Sequence, residues 1–209
     1  MKRAIDVLIA SVLLLLSGPV LLCAMLAVRI ALGSPVLFRQ QRPGLHKKAF
    51  EVYKLRTMTN KLGSDGALLP DAQRLTALGR LLRKTSCDEL PQLLNVLRGD
   101  MSLVGPRPLL MHYLPLYSAE QARRHDVRPG ITGWAQVHGR NMVTWPERLA
   151  MDVWYVDHRS FSVDCYILML TVWRVLAIRG VSNANHVTMP EFRGEQLPQP
   201  ARWNCVEQQ

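Results

Sequence analysis

The alternation of apolar and polar residues divides the chain into an apolar head, a heavily punctuated middle and a polar end. From Val7 to Val28, 22 consecutive positions carry no charge. As a helix rising ~1.5 Å per residue, this run reaches about 33 Å, enough to cross a bilayer core. Lys2 and Arg3 precede it, and Arg29, Arg39, Arg42, Lys47, Lys48, Lys54 and Arg56 follow it. Positive flanks favour the cytoplasmic side, so both ends are expected there and the segment must turn back within the membrane. Ser17, Gly18 and Pro19 lie near its midpoint, and proline removes a backbone donor and clashes with the preceding turn. The reading is a re-entrant helix-break-helix over residues 1–33, with a kinked spanning helix as the alternative. A cleavable signal fits poorly, because Asp6 interrupts the basic start and no small-residue cleavage site follows. A lipoprotein signal ending at Cys23 fails on the bulky Leu22 before it.

Beyond Gly33-Ser34-Pro35, Val36–Phe38 and the alternating Phe50–Leu55 predict a β-hairpin around the basic turn 41–48. Leu75, Leu78, Leu81 and Leu82 recur at helical spacing, and 90–97 reads as a further helix. Gly105-Pro106-Arg107-Pro108 and Arg128-Pro129-Gly130 predict fixed loops. Cys165–Trp173 is apolar but too short to span, so it is an interfacial helix or a core helix. The expected fold class is α/β, mostly helical with a short β-hairpin. A catalytic domain over 34–194 and a mobile tail over 195–209 complete the division.

Charge narrows the partners. The chain carries 26 Lys and Arg against 16 Asp and Glu, a formal net charge of +10. Anionic partners are indicated: phosphorylated substrates, lipid headgroups or nucleic acid. The four cysteines, Cys23, Cys87, Cys165 and Cys205, form no Cys-x-x-Cys pair, which argues against a zinc site or a disulfide framework.

The densest chemistry is Arg83-Lys84-Thr85-Ser86-Cys87-Asp88-Glu89-Leu90-Pro91-Gln92. Asp88 and Glu89 open a helix, and Ser86 with Glu89 has the spacing of a capping box, a purely structural role. Phosphoryl transfer gives the same pair other work. One carboxylate attacks phosphorus, a second holds Mg²⁺, and nearby cations such as Arg83 and Arg107 grip the phosphates. His125, beside Asp126, invites a dyad with Cys87, but a solvated histidine is the simpler reading. Residues 79–85 lack the glycines of a phosphate loop.

Asp88-Glu89-Leu90-Pro91-Gln92-Leu93, Asn95-Val96, Gly99-Asp100-Met101-Ser102 and Gly105-Pro106-Arg107-Pro108 resemble the bacterial sugar transferase family. Arg128-Pro129-Gly130-Ile131-Thr132-Gly133, Gln136-Val137 and Gly139-Arg140-Asn141 extend the likeness, which covers roughly 2–194. It is similar to the small monotopic phosphoglycosyl transferases, among them the enzyme that starts bacterial N-linked glycan assembly.

The resemblance implies an enzyme at the cytoplasmic face of the bacterial inner membrane. Asp88 would attack the β-phosphate of a UDP-sugar, releasing UMP, and undecaprenyl phosphate would then take the sugar phosphate. Glu89 matches the Mg²⁺-binding carboxylate, and Arg83 and Arg107 match phosphate-contacting arginines. The implied sugar is an N-acetylated amino sugar, with diacetylated bacillosamine the first choice. The family also has a re-entrant helix, although its small members place Ser directly before the proline where this chain has Gly18. Arg128, Arg140 and Asn141 either contact nucleotide or sugar or structure their loops. Anionic membrane lipids are expected partners and nucleic acid is not. The rival readings are a membrane-tethered nucleic-acid binder or a scaffold without catalysis.

Overall fold

The computed structural model describes residues 1–139, 143–176 and 191–194. Its elements run α1 (Lys2–Leu32), β1 (Leu37–Pro43), β2 (Ala49–Leu55), α2 (Asp71–Arg74), α3 (Ala77–Lys84), α4 (Gln92–Arg98), β3 (Ser102–Val104), α5 (Ala119–Ala122), β4 (Gly130–Thr132), α6 (Trp134–His138), α7 (Trp145–His158) and α8 (Phe161–Leu176), with short 3₁₀ turns between. The fold is mostly helical with two small sheets. β1 and β2 form the expected antiparallel hairpin, with Gln40 opposite Val52. β3 and β4 pair in parallel, Ser102 against Gly130. The tail 195–209 lies outside the described residues.

The interruption expected at Ser17-Gly18-Pro19 is absent, and α1 stays helical through Pro19. Proline deletes one intrahelical bond, which a long apolar helix tolerates, and the Ser17 hydroxyl donates back to the Leu13 carbonyl at 2.6 Å. Such back-bonding bends a helix rather than ending it.

Both ends of α1 rest on the same body. At the start, Lys2 pairs with Asp164 at 2.6 Å, and buried Asp6 accepts from the Ser102 hydroxyl (2.8 Å) and the Leu103 N–H (3.3 Å). Arg3 donates to the carbonyls of Val96 and Leu97 in the last turn of α4. These charges, which the sequence pattern assigns to a lipid flank, are largely bound by protein. At the far end, Leu21, Ala24, Met25, Val28 and Leu32 pack with Leu55 and Leu82. Between these anchors the apolar surface is bare: Leu15 is 79% and Leu16 72% exposed.

The main core gathers Val52, Leu93, Val96, Met101, Leu103, Val104, Tyr155 and Ile167, with Ile9, Ala10 and Leu14 of α1 against it. α8 therefore combines the two readings of 165–173. Ile167 is fully buried in the core, while Phe161, Met169, Val172 and Trp173 are more than half exposed. That apolar face suits a headgroup-level environment.

Candidate active site

Ser86 carries the turn that turns Asp88 inward. Its backbone is left-handed (φ 58), an uncommon conformation for a residue with a side chain. α3 stops just before it, and Cys87–Glu89 continue as a 3₁₀ turn into α4. The capping box suggested by Ser86 and Glu89 is not formed: Ser86 makes no side-chain cap, and Glu89 points elsewhere. One carboxylate oxygen of Glu89 accepts from Lys54 at 2.7 Å and Arg107 at 2.5 Å; the other lies 3.4 Å from Arg107. Without the cap, the scaffold reading loses its main residue-level support.

Each of these cations is positioned by a motif residue. The Asn95 amide, fully buried, donates to the Glu51 carbonyl at 2.6 Å and accepts from the Tyr53 N–H at 3.2 Å. It clamps the edge of β2 and so sets Lys54 opposite Glu89. Arg107 sits on a loop that permits little movement. Gly105 N–H donates to Thr132 O, and Gly130 N–H donates to Pro106 O, at 2.9 and 3.0 Å. A Cβ on Gly105 would meet the Arg128 carbonyl at 2.3 Å, so the two Pro/Gly loops pack backbone against backbone. Arg124 donates to the Arg107 carbonyl at 2.7 Å while paired with Asp152, also at 2.7 Å, both side chains almost wholly buried.

The two carboxylates have opposite electrostatics. Burial, aided by the Glu89 charge, pushes Asp88 up to about 6, against the pull of Lys54, Arg83 and Arg107. Burial would raise Glu89 as well, but Arg107 and Lys54 overrule it and hold it well below the usual carboxylate range. Glu89 is thus a permanent counter-ion, while Asp88 is an ionisable group kept at raised energy.

Arg83 takes its place near Asp88, donating from Nε to the Thr57 hydroxyl at 3.1 Å. Arg128 donates from Nε to the Gly99 carbonyl at 2.9 Å, at the end of α4. Arg140 and Asn141 lie outside the described residues. His125 is a correction: it is 4% exposed, not solvated, and burial with Arg124 nearby lowers it to about 3. It packs on Tyr117, whereas Cys87 joins the cluster under α1, so the dyad has no support.

Beside Glu89 a cavity shares Lys54 and Arg107 and adds Arg42, Arg148, Gln92, Tyr113 and Trp145. Burial and the nearby Arg107 lower Arg42 to about 10. In the sequence Arg42 and Lys54 stand only as membrane-flanking charges. A hairpin that returns β2 against the Asp88 turn is the signal that could have promoted Lys54. Gln92 stands inside the quoted motif but drew no role.

Mg²⁺ takes oxygen ligands, and with one Glu89 oxygen shared by Lys54 and Arg107, the other, 3.4 Å from Arg107, is the one that would hold it. Among the described residues no group of three His, Cys, Asp or Glu side chains forms a closed metal cage.

Residues 1–178 match the family described as bacterial sugar transferase. The chain belongs to that family. The uncharacterized sugar transferase EpsL of Bacillus subtilis (strain 168) is 57% identical over 93% of this chain and 96% of its own length. The UDP-glucose:undecaprenyl-phosphate glucose-1-phosphate transferase of Caulobacter vibrioides is 45% identical over 82% of this sugar transferase and 68% of that enzyme. The undecaprenyl-phosphate galactose phosphotransferase of Salmonella typhimurium is 37% identical over 84% of this chain and 40% of that protein.

Proposed function

We propose that the chain transfers a sugar 1-phosphate from a UDP-sugar to undecaprenyl phosphate through a phosphosugar-aspartate intermediate. The observation that carries this reading is a buried, destabilised Asp88 carboxylate beside a Glu89 already neutralised by two cations. An Asp88 oxygen attacks the β-phosphorus, and the bond to the bridging oxygen breaks, so UMP leaves with that electron pair. A phosphate oxygen of undecaprenyl phosphate then attacks the same phosphorus and returns Asp88 to its carboxylate. Lys54, Arg83 and Arg107 offset the charge that would otherwise keep two anions apart. A Mg²⁺ ion held by Glu89 would further neutralise the diphosphate.

The donor is a UDP-hexose. Relatives named for glucose and galactose favour these over the N-acetylated amino sugar implied by the small monotopic members. The site works at the cytoplasmic face of the inner membrane, where nucleotide sugars are made. Support for an α1 that keeps both ends on one side of the membrane, without a helix break, is that its two ends pack on one body. A straight helix of about 46 Å crossing the bilayer could not do so. UMP release scored with undecaprenyl phosphate, Mg²⁺ and a panel of UDP-glucose, UDP-galactose and N-acetylated UDP-sugars tests the reaction. Turnover with a UDP-hexose is expected; release of UMP by an Asp88→Asn variant would defeat it.

A further inference from the structure

Gln92 opens α4 and is 2% exposed, yet its side-chain amide nitrogen is buried without a hydrogen-bond partner among the described residues. Leaving such a buried donor unpaired is unfavourable. It makes no helix cap that would explain its place. Tyr117, His125, Gln136 and Arg174 also bury an unpaired polar atom, but of these five residues Gln92 alone lines the cavity beside Arg107.

Its surroundings tie it to the reacting group. Leu90 and Pro91 have right-handed backbones, and the chain passes from Cys87 into α4 through i→i+3 hydrogen bonds, Leu90 N–H to the Cys87 carbonyl at 3.4 Å and Leu93 N–H to the Leu90 carbonyl at 3.0 Å. In such a turn residues three apart eclipse, and it is the cavity that ties Gln92 to the site: Gln92, Lys54 and Arg107 line it together, and Lys54 and Arg107 both donate to the Glu89 carboxylate. Gln92 therefore shares its cavity with the cations that act on Asp88, within the reach of a sugar ring attached to a phosphate at that carboxylate. The diphosphate already has charged partners in Lys54, Arg107 and Arg42. A neutral carboxamide contributes no charge but offers an oriented N–H, which suits a hydroxyl. Tyr113 and Trp145 supply the wall against which a sugar's C–H face can lie.

We propose that Gln92 is a specificity-determining residue whose carboxamide donates a hydrogen bond to a hydroxyl of the hexose in the nucleotide donor. This rests on the donor class proposed above. A site built to hydrogen-bond a hydroxyl rejects analogues that lack it, because its own buried group is then left unpaired.

The test measures binding, so it does not depend on turnover. The full chain, reconstituted in lipid nanodiscs with Asp88→Asn to block transfer, is titrated with UDP-glucose, UDP-galactose and UDP. The titrations are repeated with Gln92→Met added, which keeps length and removes the amide. The expected result is a loss of about tenfold to a hundredfold in affinity for at least one UDP-hexose, with UDP affinity unchanged. Parallel losses for UDP and both UDP-hexoses would assign Gln92 to the phosphates or the fold and overturn the proposal. Unchanged affinities would mean that water satisfies the amide, and would also overturn it. Single-deoxy derivatives of UDP-glucose and UDP-galactose, titrated against the Asp88→Asn protein with Gln92 intact, give a second reading should the Met variant not fold. At least one hydroxyl should cost about tenfold, and a flat series would refute the assignment.

Discussion

Replacing Asp88 with Asn should abolish transfer and make the protein more stable. Asp88 is 7% exposed, and burial with the adjacent Glu89 charge raises its pKa from 3.8 to about 6. Each factor of ten in the acid constant corresponds to 1.36 kcal/mol, so ionised Asp88 costs the fold roughly 3 kcal/mol at neutral pH. The sign follows from the folded pKa lying above the unfolded one. The favourable contribution is complete below the unfolded value and is lost as pH rises through about 6. An asparagine stays neutral throughout. Its stability advantage should be small at pH 4, grow up to pH 6 and level off above it. For a chain of 209 residues, a ceiling of about 3 kcal/mol is a rise of roughly 6–12 °C in Tm. Thermal unfolding of both proteins in one detergent, from pH 4 to pH 8, measures the difference. A variant less stable than wild type at pH 7.5, or an advantage independent of pH, would refute the reasoning. The confirming result would be a functional carboxylate maintained at the expense of stability.

The same ionisation sets the rate profile: kcat/KM for the UDP-sugar should fall about tenfold per pH unit below about 6, and a limb near 4 would contradict the burial argument. Asp152→Asn leaves the Arg124 guanidinium buried without its counter-charge, and should lose about 3–5 kcal/mol in denaturant unfolding. The double change Arg124→Met with Asp152→Leu should recover most of that stability but not activity, because the Arg107 carbonyl has lost its donor. Gly105→Ala drives a methyl into the Arg128 carbonyl and should cost about 3 kcal/mol or more, with transfer lost even where protein is recovered.

Much of this was legible in the residues. The hairpin announced itself through alternation, and the Asp88-Glu89 pair through its neighbours in sequence. The unformed capping box was not legible, because Ser86 and Glu89 have the right spacing and only the left-handed Ser86 backbone separates them. Lys54 was hidden for a related reason: it stands 34 residues before Asp88, and the link depends on Asn95 bonding the edge of β2. Pro19 suggested a break, but one missing donor is a small perturbation in a helix of 31 residues. Asp6 looked like an intrusion in a basic flank, and its partner Ser102 lies far along the chain.

The account turns on whether phosphorus becomes bonded to the Asp88 side chain. Protein mixed with UDP-sugar labelled in its β-phosphate, without acceptor lipid, should release up to about one UMP per chain and retain label on the peptide containing Asp88. Adding undecaprenyl phosphate should then discharge that label into lipid. UMP release that begins only when the acceptor is present, with no label on the protein at any time, would contradict it.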